Sequence, residues 1–109
     1  MATEPRTPAV PPIYIEPWQW QELSAILQDC LPGRRIWAFG SRATGRYLKP
    51  FSDLDLAVEG PPITLRDSAL LDHVLDESRL PFKVDVLFLD ALTPDFRAGI
   101  QPDLVLLHG

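Results

Sequence analysis

Asp53 and Asp55 stand one residue apart in the run Ser52-Asp53-Leu54-Asp55-Leu56-Ala57-Val58-Glu59. Residues i and i+2 of a β-strand point to the same side, so an extended backbone presents both carboxylates together, opposite Leu54 and Leu56. Two such charges held a few ångströms apart repel unless a cation neutralises them or one carboxyl keeps a proton. Carboxylate oxygens are hard ligands, and Mg2+ or Mn2+ meets that need. The plainer alternative is two acids on a solvated strand face. A third acid, Asp85, stands among apolar residues in Phe82-Lys83-Val84-Asp85-Val86-Leu87-Phe88-Leu89. Lys83, on the same face of an extended run, offers it an ordinary salt bridge. Three strand-borne aspartates converging on one sheet edge offer more: such a trio can hold two metal ions that clamp a phosphate from both sides.

Upstream, Gly40-Ser41 ends a strand-like run. A tight turn there exposes backbone N–H groups and a hydroxyl to an anion, and a helical turn starting at that point adds a favourable field for phosphate. Taken alone, Gly-Ser is more often a plain turn; its place a short loop before Asp53 and Asp55 gives it weight. Gly45 follows Gly40 after four intervening residues, the glycine spacing of a Walker A loop. That loop then needs Lys followed by Ser or Thr, whereas Arg46 and Tyr47 stand here, and a tyrosine cannot bind the metal with the same reach. A calcium loop fails as well, because Ala57 takes a ligand position. Glycosyltransferases also use Asp-x-Asp but need a longer chain. Arg34, Arg35, Arg42, Arg46 and Lys49 cluster in sequence, a local basic patch suited to a small polyanion; the alternative is a solvated loop rich in arginine.

These residues require particular elements around them. Trp20, Leu23, Leu27 and Cys30, widened by Ile26 and Leu31, form an apolar stripe that predicts a helix from Pro17 to Leu31, stopped by Pro32-Gly33. Arg35 to Phe39 reads as a short strand. Leu54, Leu56 and Val58 alternate with polar or small residues, which predicts a strand with one apolar face. Thr64 with Asp67 starts a second helix bearing Leu70, Leu71, Val74 and Leu75. Phe82, Val84, Val86 and Phe88 share one face of a third strand running from Phe82 to Leu89, with Lys83 and Asp85 on the other. Thr93-Pro94 opens a short helix to about Ile100, and Leu104 to Leu107 form a last apolar segment for the core or a partner. The expected order is α-β-β-α-β-α with a tail: an α+β fold, a small mixed β-sheet with flanking helices.

The chain has 109 residues, 46% of them hydrophobic and 23% charged, which fits one globular domain with a real core. We assign that domain to residues 13–109 and read the proline-rich residues 1–12 as a flexible arm. A net charge of −5 disfavours a dedicated nucleic-acid binder, while a local basic patch in such a protein suits a nucleotide. Cys30 is the one cysteine, there is no signal-peptide pattern, and no apolar run is long enough for a membrane span, so a cytoplasmic protein is expected. His73 and His108 lie at no metal-ligand spacing, and Trp18, Trp20 and Trp37 read as core or interface anchors.

Gly-Ser-Arg-Ala-Thr-Gly, then Ser-Asp-Leu-Asp-Leu, then Val-Asp-Val resembles the DNA polymerase beta-like nucleotidyltransferase superfamily, over roughly residues 20–105. The short chain, with Arg42 and Gly45, looks most like the minimal nucleotidyltransferases (MNT) that are paired with HEPN ribonuclease toxins. That resemblance implies the nucleotidyltransferase fold, two Mg2+ ions held by Asp53, Asp55 and Asp85, and a triphosphate tail held at Gly40 and Ser41, with Arg42 and Arg46 as secondary candidates for phosphate contacts. It implies in-line attack of a hydroxyl on the α-phosphorus of ATP, with Asp85 helping to remove the hydroxyl proton and pyrophosphate leaving. The implied role is that of an antitoxin transferring AMP to a tyrosine of a HEPN-domain toxin, in a hetero-oligomer with it. The rival expectation is an antitoxin that neutralises by binding alone, with a vestigial or regulatory nucleotide site. So small a core offers little surface for choosing an acceptor, which points to a partner that completes the site.

Overall fold

The computed structural model describes residues 10–109. Most of the expected arm over 1–12 therefore lies outside the described residues. Helix α1 spans Pro17–Cys30; the Glu16 amide donates to Gln19 Oε1 at 2.8 Å, and Pro17 sits in the first turn, where its missing N–H costs nothing. Strand β1 is Ile36–Phe39, and a single helical turn, α2, follows at Ser41–Thr44. Strand β2 is Leu54–Val58, and helix α3 spans Leu65–Glu77, capped by Thr64 Oγ1 accepting from the Asp67 amide at 3.1 Å. Strand β3 is Val84–Phe88, α4 is Pro94–Ile100, and β4 is Val105–His108.

Four strands form one sheet in the order β3-β2-β1-β4. The β2–β3 pair is parallel and both pairs made by β1 are antiparallel, so the sheet is mixed, as expected. Two differences from the sequence reading stand out. The turn after Gly40 closes into α2, and the last apolar run is a full strand on the free side of β1 instead of a tail. Of the two adjacent leucines expected on α3, Leu71 is buried and Leu70 is 56% exposed.

Alternation divides the core by sheet face. Leu54, Leu56 and Val58 join Ile36 and Ala38 beneath Trp20, Leu23, Leu27 and Leu71, which come from α1 and α3. On the opposite face, Phe39, Ala57, Leu89 and Ile100 form a smaller cluster under α4. Phe96 of α4 meets Phe39 edge to face, with ring centroids 6.4 Å apart. Asp53 and Asp55 continue this second face beyond its apolar part. Among the described residues no helix is long and apolar enough to cross a membrane.

Candidate active site

Strand pairing carries the site. Phe39 lies opposite Asp55 across β1 and β2, and Asp55 lies beside Asp85 across β2 and β3. The end of β1, the acidic run of β2 and the lone acid of β3 therefore meet at one level of the sheet. Asp53 is exposed, and Asp55 and Asp85 are half-buried.

Gly40 brings the glycine turn after β1 against the acidic strand. Its φ of 77° and ψ of −159° lie in a region open essentially to glycine alone. A Cβ there would stand 2.6 Å from Asp55 Oδ2, so the carboxylate packs directly on the bare Cα. From that point α2 turns back: the Ala43 and Thr44 amides both donate to the Gly40 carbonyl, at 3.1 and 3.0 Å. Amides at the start of a helical turn have no acceptor within it, so the first amides of this turn are the donors the Gly40-Ser41 corner could offer an anion.

Burial raises the Asp55 carboxyl above its ordinary range, and the charges of Asp85 and then Asp53 raise it further. An Asp55 carboxyl whose ionisation is opposed by two neighbouring acids fits the chemistry of a hard divalent cation, so the donor set suits Mg2+ or Mn2+. The acids do not yet form a closed set: among the described residues no three acidic, histidine or cysteine side chains converge as a metal cluster. Asp85 Oδ1 instead faces Lys83 Nζ at 3.4 Å, the same-face pair that the strand alternation predicts.

The two arginines part company. Arg46 is exposed and pairs with Asp103 at 2.8 Å, tying the loop after α2 to the turn before β4. Arg42 is buried, 6% exposed, and each of its three nitrogens donates to a backbone carbonyl: Nε to Ser52, Nη1 to Tyr14 and Nη2 to Pro50. Its guanidinium also lies 4.2 Å from the centroid of the Phe82 ring. Tyr14 went unnoticed in the sequence, where nothing local marks it; its ring lies where a Cβ on Gly45 would reach to 2.8 Å. The loop carrying Asp53 also exposes Tyr47 and Phe51, 93% and 75% open.

The sequence model of the nucleotidyltransferase domain family matches residues 20–106. A protein of Haemophilus influenzae strain Rd, named as a probable protein adenylyltransferase MntA, is 37% identical over 87 residues, which cover 79% of this chain and 75% of that relative.

Proposed function

The chain belongs to the nucleotidyltransferase domain family, and from that premise we propose that it moves AMP from ATP onto a hydroxyl of a cognate HEPN ribonuclease toxin, a tyrosine side chain, and so acts as its antitoxin. The observation that carries this reading is the close approach of Asp55 to Gly40, which supports reading the Gly40-Ser41 corner and the acidic strand as one site. The relative's name, as a protein adenylyltransferase, supports a protein as the acceptor.

In this mechanism the Gly40-Ser41 corner holds the triphosphate tail and sets the α-phosphorus in front of Asp53 and Asp55. Asp85 takes the proton of the attacking hydroxyl. A bond forms from that oxygen to the α-phosphorus, and the bond to the bridging oxygen of the β-phosphate breaks in line, releasing pyrophosphate. Asp53, Asp55 and Asp85 would hold the divalent ions, two of them, whose charge would offset that building on the phosphoryl group and leaving group. Closing this set requires Asp85 to release Lys83.

That ion pair also favours the second reading, an antitoxin that acts by binding alone, because Lys83 already neutralises the third acid. Mass spectrometry separates the two. The intact chain is incubated with Mg-ATP and the purified partner. We expect AMP-sized additions on the partner that disappear with Asp53→Asn or Asp55→Asn. Neutralisation of the partner without any mass addition would overturn transfer in favour of binding.

A further inference from the structure

We propose that Arg42 is a positioning residue of the site: it fixes Asp53, and the entry to the strand bearing Asp85, by gripping backbone carbonyls, and it does not hold phosphate. The kinetic part of this proposal rests on the transfer reading above; the metal-binding part does not.

A buried guanidinium is costly unless its donors are satisfied. Among the described residues Arg42 has no carboxylate within salt-bridge distance, so its charge is met differently. The Nε donates 2.7 Å to the Ser52 carbonyl, at the peptide bond that leads into Asp53. Nη2 donates 3.0 Å to Pro50 and so fixes the preceding turn, which closes on itself as the Ser52 amide donates to the Lys49 carbonyl at 3.1 Å. Nη1 donates 3.1 Å to Tyr14, whose own amide returns a 2.7 Å bond to the Arg42 carbonyl. The guanidinium carbon lies over the ring of Phe82, which is 7% exposed and three residues before Asp85. One side chain thus relates the Gly40 turn, of which it is part, to the approaches of both acidic strands. The negative charge of Asp53 favours the charged guanidinium, against the larger opposing effect of burial.

A planar fork can satisfy three carbonyls and stack on a ring at the same time. A lysine ammonium, a point charge on a flexible stem, cannot reproduce those directions. Residues that orient metal ligands typically contribute about 10- to 100-fold to metal affinity or activity. Arg42→Lys keeps the charge and tests the directionality alone.

The intact chain and Arg42→Lys are compared for fold by circular dichroism, for Mn2+ affinity by calorimetry, and for transfer kinetics with Mg-ATP. The expected result is a folded variant with Mn2+ binding weakened about 10-fold or more, kcat lowered about 10- to 100-fold, and a KM for ATP changed less than about threefold. A raised KM with unchanged kcat makes Arg42 a phosphate contact and overturns the proposal. Mn2+ affinity and kcat both unchanged per folded molecule make it a fold residue only and also overturn it. Should the wild type bind Mn2+ yet transfer nothing, the transfer reading fails and the Mn2+ comparison still decides the role of Arg42; a wild type that binds no Mn2+ overturns the proposal. Should Arg42→Lys not fold, Phe82→Leu carries the test, since it removes the ring face beneath the guanidinium and stays apolar: weakened Mn2+ binding supports the proposal and unchanged affinity overturns it.

Discussion

Asp55 stands where ionisation of its carboxyl is disfavoured. Burial comes first among the causes, followed by the charges of Asp85 and Asp53, and together they raise its carboxyl pKa. A carboxyl that binds its proton more tightly when folded stabilises the fold as pH falls through that raised value, and weighs against it once ionised. Metal-free Asp55→Asn is therefore expected to melt above the wild type at pH 7, with the gap closing as pH drops through the upper carboxylate range. Thermal melts in EDTA at several pH values check this, and a lower Tm for the variant at pH 7 would contradict it. The i, i+2 rule made the Asp53 and Asp55 pair legible in sequence, because it needs only local geometry. The Lys83–Asp85 contact was legible for the same reason. What Arg42 does was not: its three acceptors lie 8, 10 and 28 residues away, and only the folded chain brings their carbonyls together.

Two turns show how elements serve the site and how they serve stability alone. Gly40 ends β1 in a glycine-only conformation with Asp55 against its Cα, whereas Thr64 caps α3, whose buried Leu71 faces the other side of the sheet. Gly40→Ala adds backbone strain of about 1–3 kcal/mol and pushes on a site carboxylate. Thr64→Ala loses a cap, at about 1 kcal/mol, or roughly 4 °C in Tm. Both variants are expected to melt earlier, but only Gly40→Ala should lose transfer activity when compared at equal folded fraction; equal activity in the two would remove Gly40 from the site. Most elements were visible through their periodicity and caps, as with Trp20, Leu23 and Leu27 in α1 or Thr93-Pro94 before α4. The strand β4 was visible only as an apolar run, since a sequence does not reveal that β1 has a free edge to receive it. The sequence does not say which of Leu70 and Leu71 packs, and in the fold α3 buries Leu71 and leaves Leu70 in solvent.

At the scale of the molecule, the sheet separates packing from chemistry. One face is filled by α1 and α3 over the larger core, and the other carries α4 over a smaller cluster before giving way to the acids. The chain as a whole carries a net charge of −5. Any salt will screen such an excess, so cation-dependent stabilisation is informative only when it exceeds that general effect. A cation that binds the folded site and not the unfolded chain stabilises by mass action, about 2.7 kcal/mol at a hundredfold excess over Kd, which for a domain of this size is roughly 10 °C in Tm. Millimolar Mn2+ or Mg2+ is therefore expected to raise Tm well beyond NaCl of matched ionic strength. The gain should vanish in Asp55→Asn, which removes a carboxylate charge, and shrink as pH falls, because protons compete for the same raised carboxyl. Differential scanning fluorimetry across the two salts and two proteins makes the comparison. Equal shifts with NaCl would reduce the effect to screening of net charge and leave the three aspartates without a cation to share.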